Sequence, residues 1–423
     1  MLLQPVNESD RIKSLDILRG FSLLGILLVN IIGFGFIAAA YTAPGLIISN
    51  TPDLIAWTLV QLTAEGAMRG LFSILFGAGV LLFLGKDNDS RGWLHAKRTA
   101  WLLIFGLANG YLLLWTGDIL VTYALAGFLL YFFRNLSGQA LLKIAIAGLA
   151  LISLYNTAMY FGLSYLQGAA QSVAALDSQN AEIPATLRAS AEEWAAFETQ
   201  YSPKPGVIDQ EILQRSASYC SAFSWTLGHN TQVLMSLWQF LLPDALVLML
   251  LGMALFKMGI LQGNAENAFY RKMMLYGFGS GLLINGFEIW TAIESQFDLL
   301  ESFAPLSPTY HLGRVALAMG WIGALILIIK RGNIGQGLGN VGRMALTNYL
   351  MQSLICLFLF TGAGFGLVDQ IPLPKIYGLV LLIWAFQWAF STWWLQRFYY
   401  GPVEWLWRAL TYGRLPKFSR KIP

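Results

Sequence analysis

Charge is scarce in this chain. Of its 423 residues only 12% are Asp, Glu, Lys or Arg, about half the roughly 25% usual in soluble domains. Cysteine is scarcer still: Cys220 and Cys356 cannot build a disulfide framework, and Cys356 sits inside an apolar run. Histidine occurs three times, at His95, His229 and His311, too widely scattered to form a motif, and no metal site is expected. There is no phosphate loop ending in Gly-Lys-Ser/Thr, no His-Glu-x-x-His and no dinucleotide fingerprint. The pI is about 8.9, yet the net charge is only +4. The basic residues are dispersed among apolar stretches, which argues against a nucleic-acid partner.

What is abundant is apolar. Hydrophobic residues make up 56% of the chain, with 15 Trp and 17 Tyr, and the mean hydropathy is +0.57. Aromatic rings of this kind suit two membrane interfaces, and the 42 glycines suit close-packed membrane helices. A helix needs about 20 mainly apolar residues to cross the hydrocarbon core. Ten stretches meet or approach that length: 18–39, 66–84, 99–116, 118–134, 139–162, 236–259, 273–293, 311–330, 342–362 and 376–396. The third and fourth are joined by the tight turn Trp115-Thr116-Gly117-Asp118 and read as a helical hairpin. Ala38-Ala39-Ala40 looks like a signal-peptidase site, but the apolar region before it exceeds the usual length of about 7–15 residues and carries Arg19. The first stretch therefore reads as an uncleaved helix.

Basic residues alternate along these spans. Arg11 and Lys13 precede the first; Lys86, Arg91, Lys97 and Arg98 follow the second; Arg134 and Lys143 flank the junction of the fourth and fifth. Lys257, Arg271 and Lys272 lie between the sixth and seventh, and Lys330, Arg331 and Arg343 between the eighth and ninth. A basic tail from Arg397 to Lys421 follows the tenth, whereas the opposite connections carry only Arg188, Lys204, Arg215, Arg314 and Lys375. By the positive-inside rule both termini are cytoplasmic in a bacterial inner membrane. The expected fold is all-α: a polytopic transmembrane bundle of about ten spans, with one long periplasmic amphipathic insertion. Residues 1–163 form a five-span half, 164–232 the insertion, and 233–423 a second five-span half with its basic tail. The insertion has Gly/Ala/Ser/Gln-rich chain around Gln167–Gln179 and two amphipathic helix candidates, 183–198 and 207–224. They are placed to lie on the membrane surface or cap an outward cavity. Pro243 marks a helix start or kink, and no repeat relates the halves.

Polar groups inside spans are expensive and by default mark sites, the alternative being interhelical glue. Asp16 and Arg19 lie three apart on one helical face. Asn30 follows Arg19 by eleven residues, about three turns, so a polar stripe runs from the inner mouth to mid-span. Asn348 and Gln352, four apart near the inner half of the ninth span, could line an inner cavity with that stripe. At the outer end Glu65 and Arg69 share a face, Asp118 opens the fourth span, and Asp244, Asn285, Glu288, His311 and Arg314 sit at matching depth. They describe either an outward pocket or charges that only neutralise one another. His95, among cytoplasmic basic residues, reads most simply as a solvated loop residue.

Ser14-Leu15-Asp16-Ile17-Leu18-Arg19-Gly20 with Leu24–Asn30, Leu75-Phe76-Gly77-Ala78-Gly79, Gly117-Asp118-Ile119-Leu120, Gly342–Leu350 and Gly401–Arg408 together resemble the YeiB family of bacterial inner-membrane proteins. The likeness runs nearly end to end and is vague only over residues 164–232. The first-helix pattern is also similar to heparan-glucosaminide N-acetyltransferase-like enzymes and, more distantly, to multi-span O-acyltransferases. That resemblance implies transfer of an acyl group from a cytoplasmic acyl-CoA-type donor to an acceptor in or across the membrane. Asp16, Arg19 and Asn30 map onto its first-helix positions. The stretch where its catalytic histidine would fall reads Phe36-Ile37-Ala38-Ala39-Ala40-Tyr41, so a His-based mechanism does not carry over there.

Two readings follow. In the first, Asp16, Arg19, Asn30, Asn348 and Gln352 bind the donor, while Glu65, Arg69 and Asp118 act on a small-molecule or lipid acceptor, with Asp118 or Glu65 as base. In the second, the same charges bind a small anionic solute in a transporter. Transporters commonly show internal repeats and matched broken helices; here there is no repeat, which favours the enzyme. The lipid bilayer is a partner under both.

Overall fold

A computed structural model describes residues 11–85, 88–303, 307–332 and 335–420. Lys86 and Lys421, two of the basic residues used for orientation, lie outside the described residues. Among those described there is no β-strand, and the chain forms seventeen α-helices. They are α1 Lys13–Gly35, α2 Thr51–Thr63, α3 Ala67–Leu84, α4 Asn88–Tyr111, α5 Leu120–Phe133, α6 Gly138–Ser178, α7 Ala185–Tyr201, α8 Pro205–Ala217 and α9 Tyr219–Ser236. There follow α10 Leu241–Lys257, α11 Asn267–Glu294, α12 Leu299–Ser302, α13 Tyr310–Arg331, α14 Gln336–Arg343, α15 Ala345–Phe360, α16 Leu373–Arg397 and α17 Pro402–Tyr412.

Each of the ten apolar stretches falls on a helix. Length and composition alone assign five membrane crossings, or seven if the bent pairs α9–α10 (59°) and α14–α15 (79°) each count as one. The bend before α10 comes just ahead of Pro243, which occupies that helix's first turn, where a missing N–H breaks no bond. The outward faces are apolar: Leu151, Leu154 and Phe161 on α6, Leu283 on α11 and Leu382 on α16 are all more than half exposed. An apolar belt of this extent has no place in water and fits lipid.

Glycine sets how closely the inner helices approach. A Cβ at Gly77 of α3 would collide with the Met249 carbonyl of α10, and one at Gly252 of α10 with the Ile74 carbonyl of α3. Gly20 of α1 and Gly342 of α14 stand in the same reciprocal relation, against Leu338 and Asp16. These are the small-residue contacts that let membrane helices pack backbone to backbone. They also explain two of the sequence motifs, since Asp16–Gly20 and Gly342–Leu350 meet at this crossing.

The insertion differs from the sequence reading. α6 does not stop at 162 but runs through Gln167 to Ser178, because Ala, Leu and Gln are good helix formers and outweigh the glycine. The candidate over 207–224 splits at Ser218, whose hydroxyl accepts from the Ser221 N–H and caps α9. Arg215 of α8 donates to the carbonyls of Gly33, Phe34 and Phe36. It thereby satisfies the otherwise unpaired C-terminal carbonyls of α1 and ties the insertion to the bundle.

One end of the molecule gathers the basic helix termini. Ser14 at the start of α1 bonds the Leu261 carbonyl, Lys257 bonds the carbonyls of Arg134 and Leu136, and Lys330 bonds that of Ala265. We call this the basic end, and the opposite one the far end.

Candidate functional site

Two cavities enter the bundle, one from each end. The first, about 250 Å³, opens at the basic end. Among the described residues Arg11, Arg19, Arg98, Arg343 and Arg408 line it together with two carboxylates, Asp16 and Glu404. Deeper, its wall is apolar, with Phe72, Leu75, Phe76, Leu102 and Leu120, ending at Tyr123 and Tyr349.

Asp16 accepts from Arg11 and Arg19, each at 3.3 Å, and the Arg19 side chain keeps 25% of its surface exposed. Arg19 is therefore oriented but still accessible. Glu404 comes from α17, a short helix laid across the basic end. Its carboxylate accepts from the backbone N–H groups of Leu346 (2.7 Å) and Thr347 (3.0 Å) and from the Thr347 hydroxyl (2.5 Å). It thus caps α15 just after the 79° bend, where a helix N-terminus favours negative charge. Burial raises the Glu404 carboxyl above its ordinary range, while these bonds pull it back down. Arg98 lies between the rings of Phe83 (4.6 Å) and Trp407 (4.3 Å). With Asp16 and Glu404 both occupied, the cavity presents net positive charge over an apolar interior.

The second cavity, about 330 Å³, opens at the far end and is richer in polar groups. Glu65 accepts from the Tyr310 hydroxyl at 3.2 Å. Glu288 accepts from Ser307 at 2.8 Å and Thr309 at 2.5 Å. Glu301 accepts from Tyr160 at 2.5 Å. Arg314 forms part of the wall.

Between the cavities lies a row of polar groups. Tyr123 at the floor of the first is 2.6 Å from the Ser73 hydroxyl, which donates to the Arg69 carbonyl at 3.0 Å. The Arg69 guanidinium donates to Asp244 at 3.0 Å. Asp244 also takes two bonds from Arg314, one of them at 2.9 Å. Arg314 in turn donates to Nδ1 of His311 at 2.6 Å.

The residues singled out in the sequence divide among these places. Asp16 and Arg19 meet in the first cavity. Glu65 lines the second. Arg69 pairs with Asp244 instead of Glu65, in the row between. Asp118 joins neither: it accepts from Asn109 (2.8 Å) and the Val121 N–H (2.9 Å) and faces the Tyr349 hydroxyl at 3.4 Å, beside a small third cavity. Asn30 is half-buried on α1 and lines neither main cavity. Asn348 bonds Ser391 at 2.9 Å, and Gln352 bonds Gln387 at 3.0 Å, so both link α15 to α16. Reading spans one at a time missed Arg98, Arg343, Glu404 and Arg408 as cavity residues. In the sequence Arg98, Arg343 and Arg408 read only as orientation charges, and nothing in local periodicity brings α17 onto α15. His95 is no solvated loop residue either; it is 3% exposed, on α4, in the wall of the first cavity.

Residues 255–414 match the family described as "Protein of unknown function (DUF418)". The chain is 27% identical to "Uncharacterized protein YxaH" of Bacillus subtilis (strain 168), over 99% of its own length and 98% of the relative's. It is 32% identical to "Uncharacterized protein YeiB" of Escherichia coli (strain K12), over 95% of its length and 96% of the relative's. No solved structure matches the chain. Several of the motifs read from the sequence, Ser14–Gly20, Leu75–Gly79, Gly342–Leu350 and Gly401–Arg408, contribute residues to the first cavity, and with 32% identity to YeiB over nearly the full length, the chain belongs to the YeiB family.

Proposed function

We propose that the protein is a membrane acyltransferase whose phosphate-bearing acyl donor binds the first cavity and whose acceptor is a hydroxyl or amine from the membrane or the far side. The observation that carries this reading is the mouth of five arginines over an apolar interior. Guanidinium forks bind phosphate oxygens bidentately, and an apolar wall takes up a hydrocarbon chain with a gain of about 0.8 kcal/mol per buried methylene. An acyl thioester with a phosphorylated carrier has both parts in that order. By the positive-inside rule the basic end faces the cytoplasm, where such donors are made. The second cavity, with Glu65 and Glu288 among hydroxyl groups, suits a polar acceptor.

The test is binding of octanoyl-CoA to purified protein in detergent. Wild type should bind, and Arg19→Lys should stay folded but bind at least about tenfold more weakly, since one charged hydrogen bond is worth roughly 1.5–3 kcal/mol. Absence of binding by wild type overturns the reading, and equal binding by both removes Arg19 from the site. The polar row from Tyr123 to Arg314 supports a second reading, passage of a small anion between the cavities. Anion flux into proteoliposomes without octanoyl-CoA binding would favour it.

A further inference from the structure

His95 takes no part in the contacts described so far. It stands on α4 one turn before Thr99, and both line the first cavity. Its Nε2 is 2.9 Å from the carbonyl oxygen of Gly127 on α5. A carbonyl only accepts, so in the neutral ring the proton is on Nε2 and the lone pair on Nδ1. Tyr131 stacks on the ring at 6.1 Å and 17°, which fixes its plane. Nδ1 is buried and has no hydrogen-bond partner among the described residues.

That arrangement asks for an explanation. A buried acceptor left without a bond is destabilising. The two carboxylates of the cavity are engaged, Asp16 by Arg11 and Arg19, and Glu404 by the start of α15. Among the carboxylate and imidazole groups of the described residues lining the cavity, His95 therefore has the one acceptor atom with no hydrogen bond. Burial, with Arg98 close by, disfavours the imidazolium, so the lone pair is present at neutral pH.

We propose that His95 is the general base of the first cavity, an assignment that rests on the acyl-donor reading. Nδ1 takes the proton from an acceptor hydroxyl or amine as its oxygen or nitrogen bonds to the thioester carbonyl carbon. When the tetrahedral adduct collapses the carbon–sulfur bond breaks, and the imidazolium returns the proton to the departing thiolate. The products are an ester or amide, a free thiol and neutral His95; nothing is oxidised or reduced. The step places bond formation in the first cavity, so the acceptor's reacting group enters there wherever the rest of it is held.

The experiment uses full-length protein in detergent with octanoyl-CoA as donor and glycerol as an unactivated acceptor. It follows thiol release, octanoylglycerol formation and, separately, octanoyl-CoA binding. His95→Gln keeps an amide N–H where Nε2 stood, so the bond to Gly127 survives while the base is lost. It should bind octanoyl-CoA within about twofold of wild type and lose roughly 100-fold or more in thiol release, the range of general-base catalysis. His95→Ala should lose as much and recover part of it with added imidazole. Equal release by wild type and His95→Gln overturns the proposal and leaves the donor reading standing, as does a wild type that binds octanoyl-CoA without releasing thiol. A wild type that does not bind octanoyl-CoA overturns both.

Discussion

Asp244 is the residue on which the far half of the bundle turns. One carboxylate, 6% exposed, holds the guanidinium groups of Arg69 and Arg314, the latter 1% exposed. Removing one partner from a buried ion pair typically costs about 3–5 kcal/mol, because the remaining charge is left without compensation. Asp244→Ala should therefore lower the thermal midpoint of the detergent-solubilised protein sharply, or prevent its recovery in folded form. Asp244→Asn keeps one of the two acceptor oxygens and the side chain's volume, and should lose less. Melting of Asp244→Ala at the wild-type temperature would show that the pair does not hold the helices. At this scale the sequence was informative about type and depth but not about partner. Glu65 and Arg69 share a helical face, yet Arg69 reaches across to α10, because a carboxylate on a facing helix can lie end-on to its guanidinium.

For the helices, the determining feature is glycine at crossings. Gly252 has no room for a methyl group against α3, so Gly252→Ala must push α3 and α10 apart. Overpacking of this kind costs about 1–3 kcal/mol. Gly279 of α11 has nothing within 4 Å of an added Cβ, and Gly279→Ala should be neutral or stabilising by up to about 1 kcal/mol, as alanine favours helix. Paired thermal melts check both; a stability loss at Gly279 as large as at Gly252 would contradict the crossing argument. The helices that carry the ten apolar stretches were legible in the sequence because each stretch is a long apolar run. The extension of α6 to Ser178 was not, since its polar Ala/Gln-rich end carries no apolar signal even though it favours helix.

For the molecule as a whole, orientation is the open quantity that charge addresses. Reporter fusions at Gly332 and after the C-terminus should read cytoplasmic, and a fusion at Ser190 periplasmic. A fusion at Thr116, in the turn between α4 and α5, separates ten crossings from fewer. It should read periplasmic if this hairpin crosses, and cytoplasmic if α4 and α5 stay on the basic side. A periplasmic C-terminus would overturn the whole orientation.

The lengths of the apolar runs determined the all-helical, membrane-type architecture, because about 20 apolar residues in a row cross the hydrocarbon core as a helix whose backbone bonds are all internal. Charge spacing determined that Asp16 and Arg19 act together, since three residues on a helix is a local distance. The rest of the first cavity was decided by tertiary structure. Arg98, Arg343, Glu404 and Arg408 come from three different helices, α4, α14 and α17, and no local pattern records which helix ends will meet. His95 shows this most plainly. It falls among the basic residues Arg91, Lys97 and Arg98, so it reads as solvated, but α5 and α17 pack on α4 and Nδ1 is buried. Burial is a property of what packs against a residue, and that is written in no single stretch of chain.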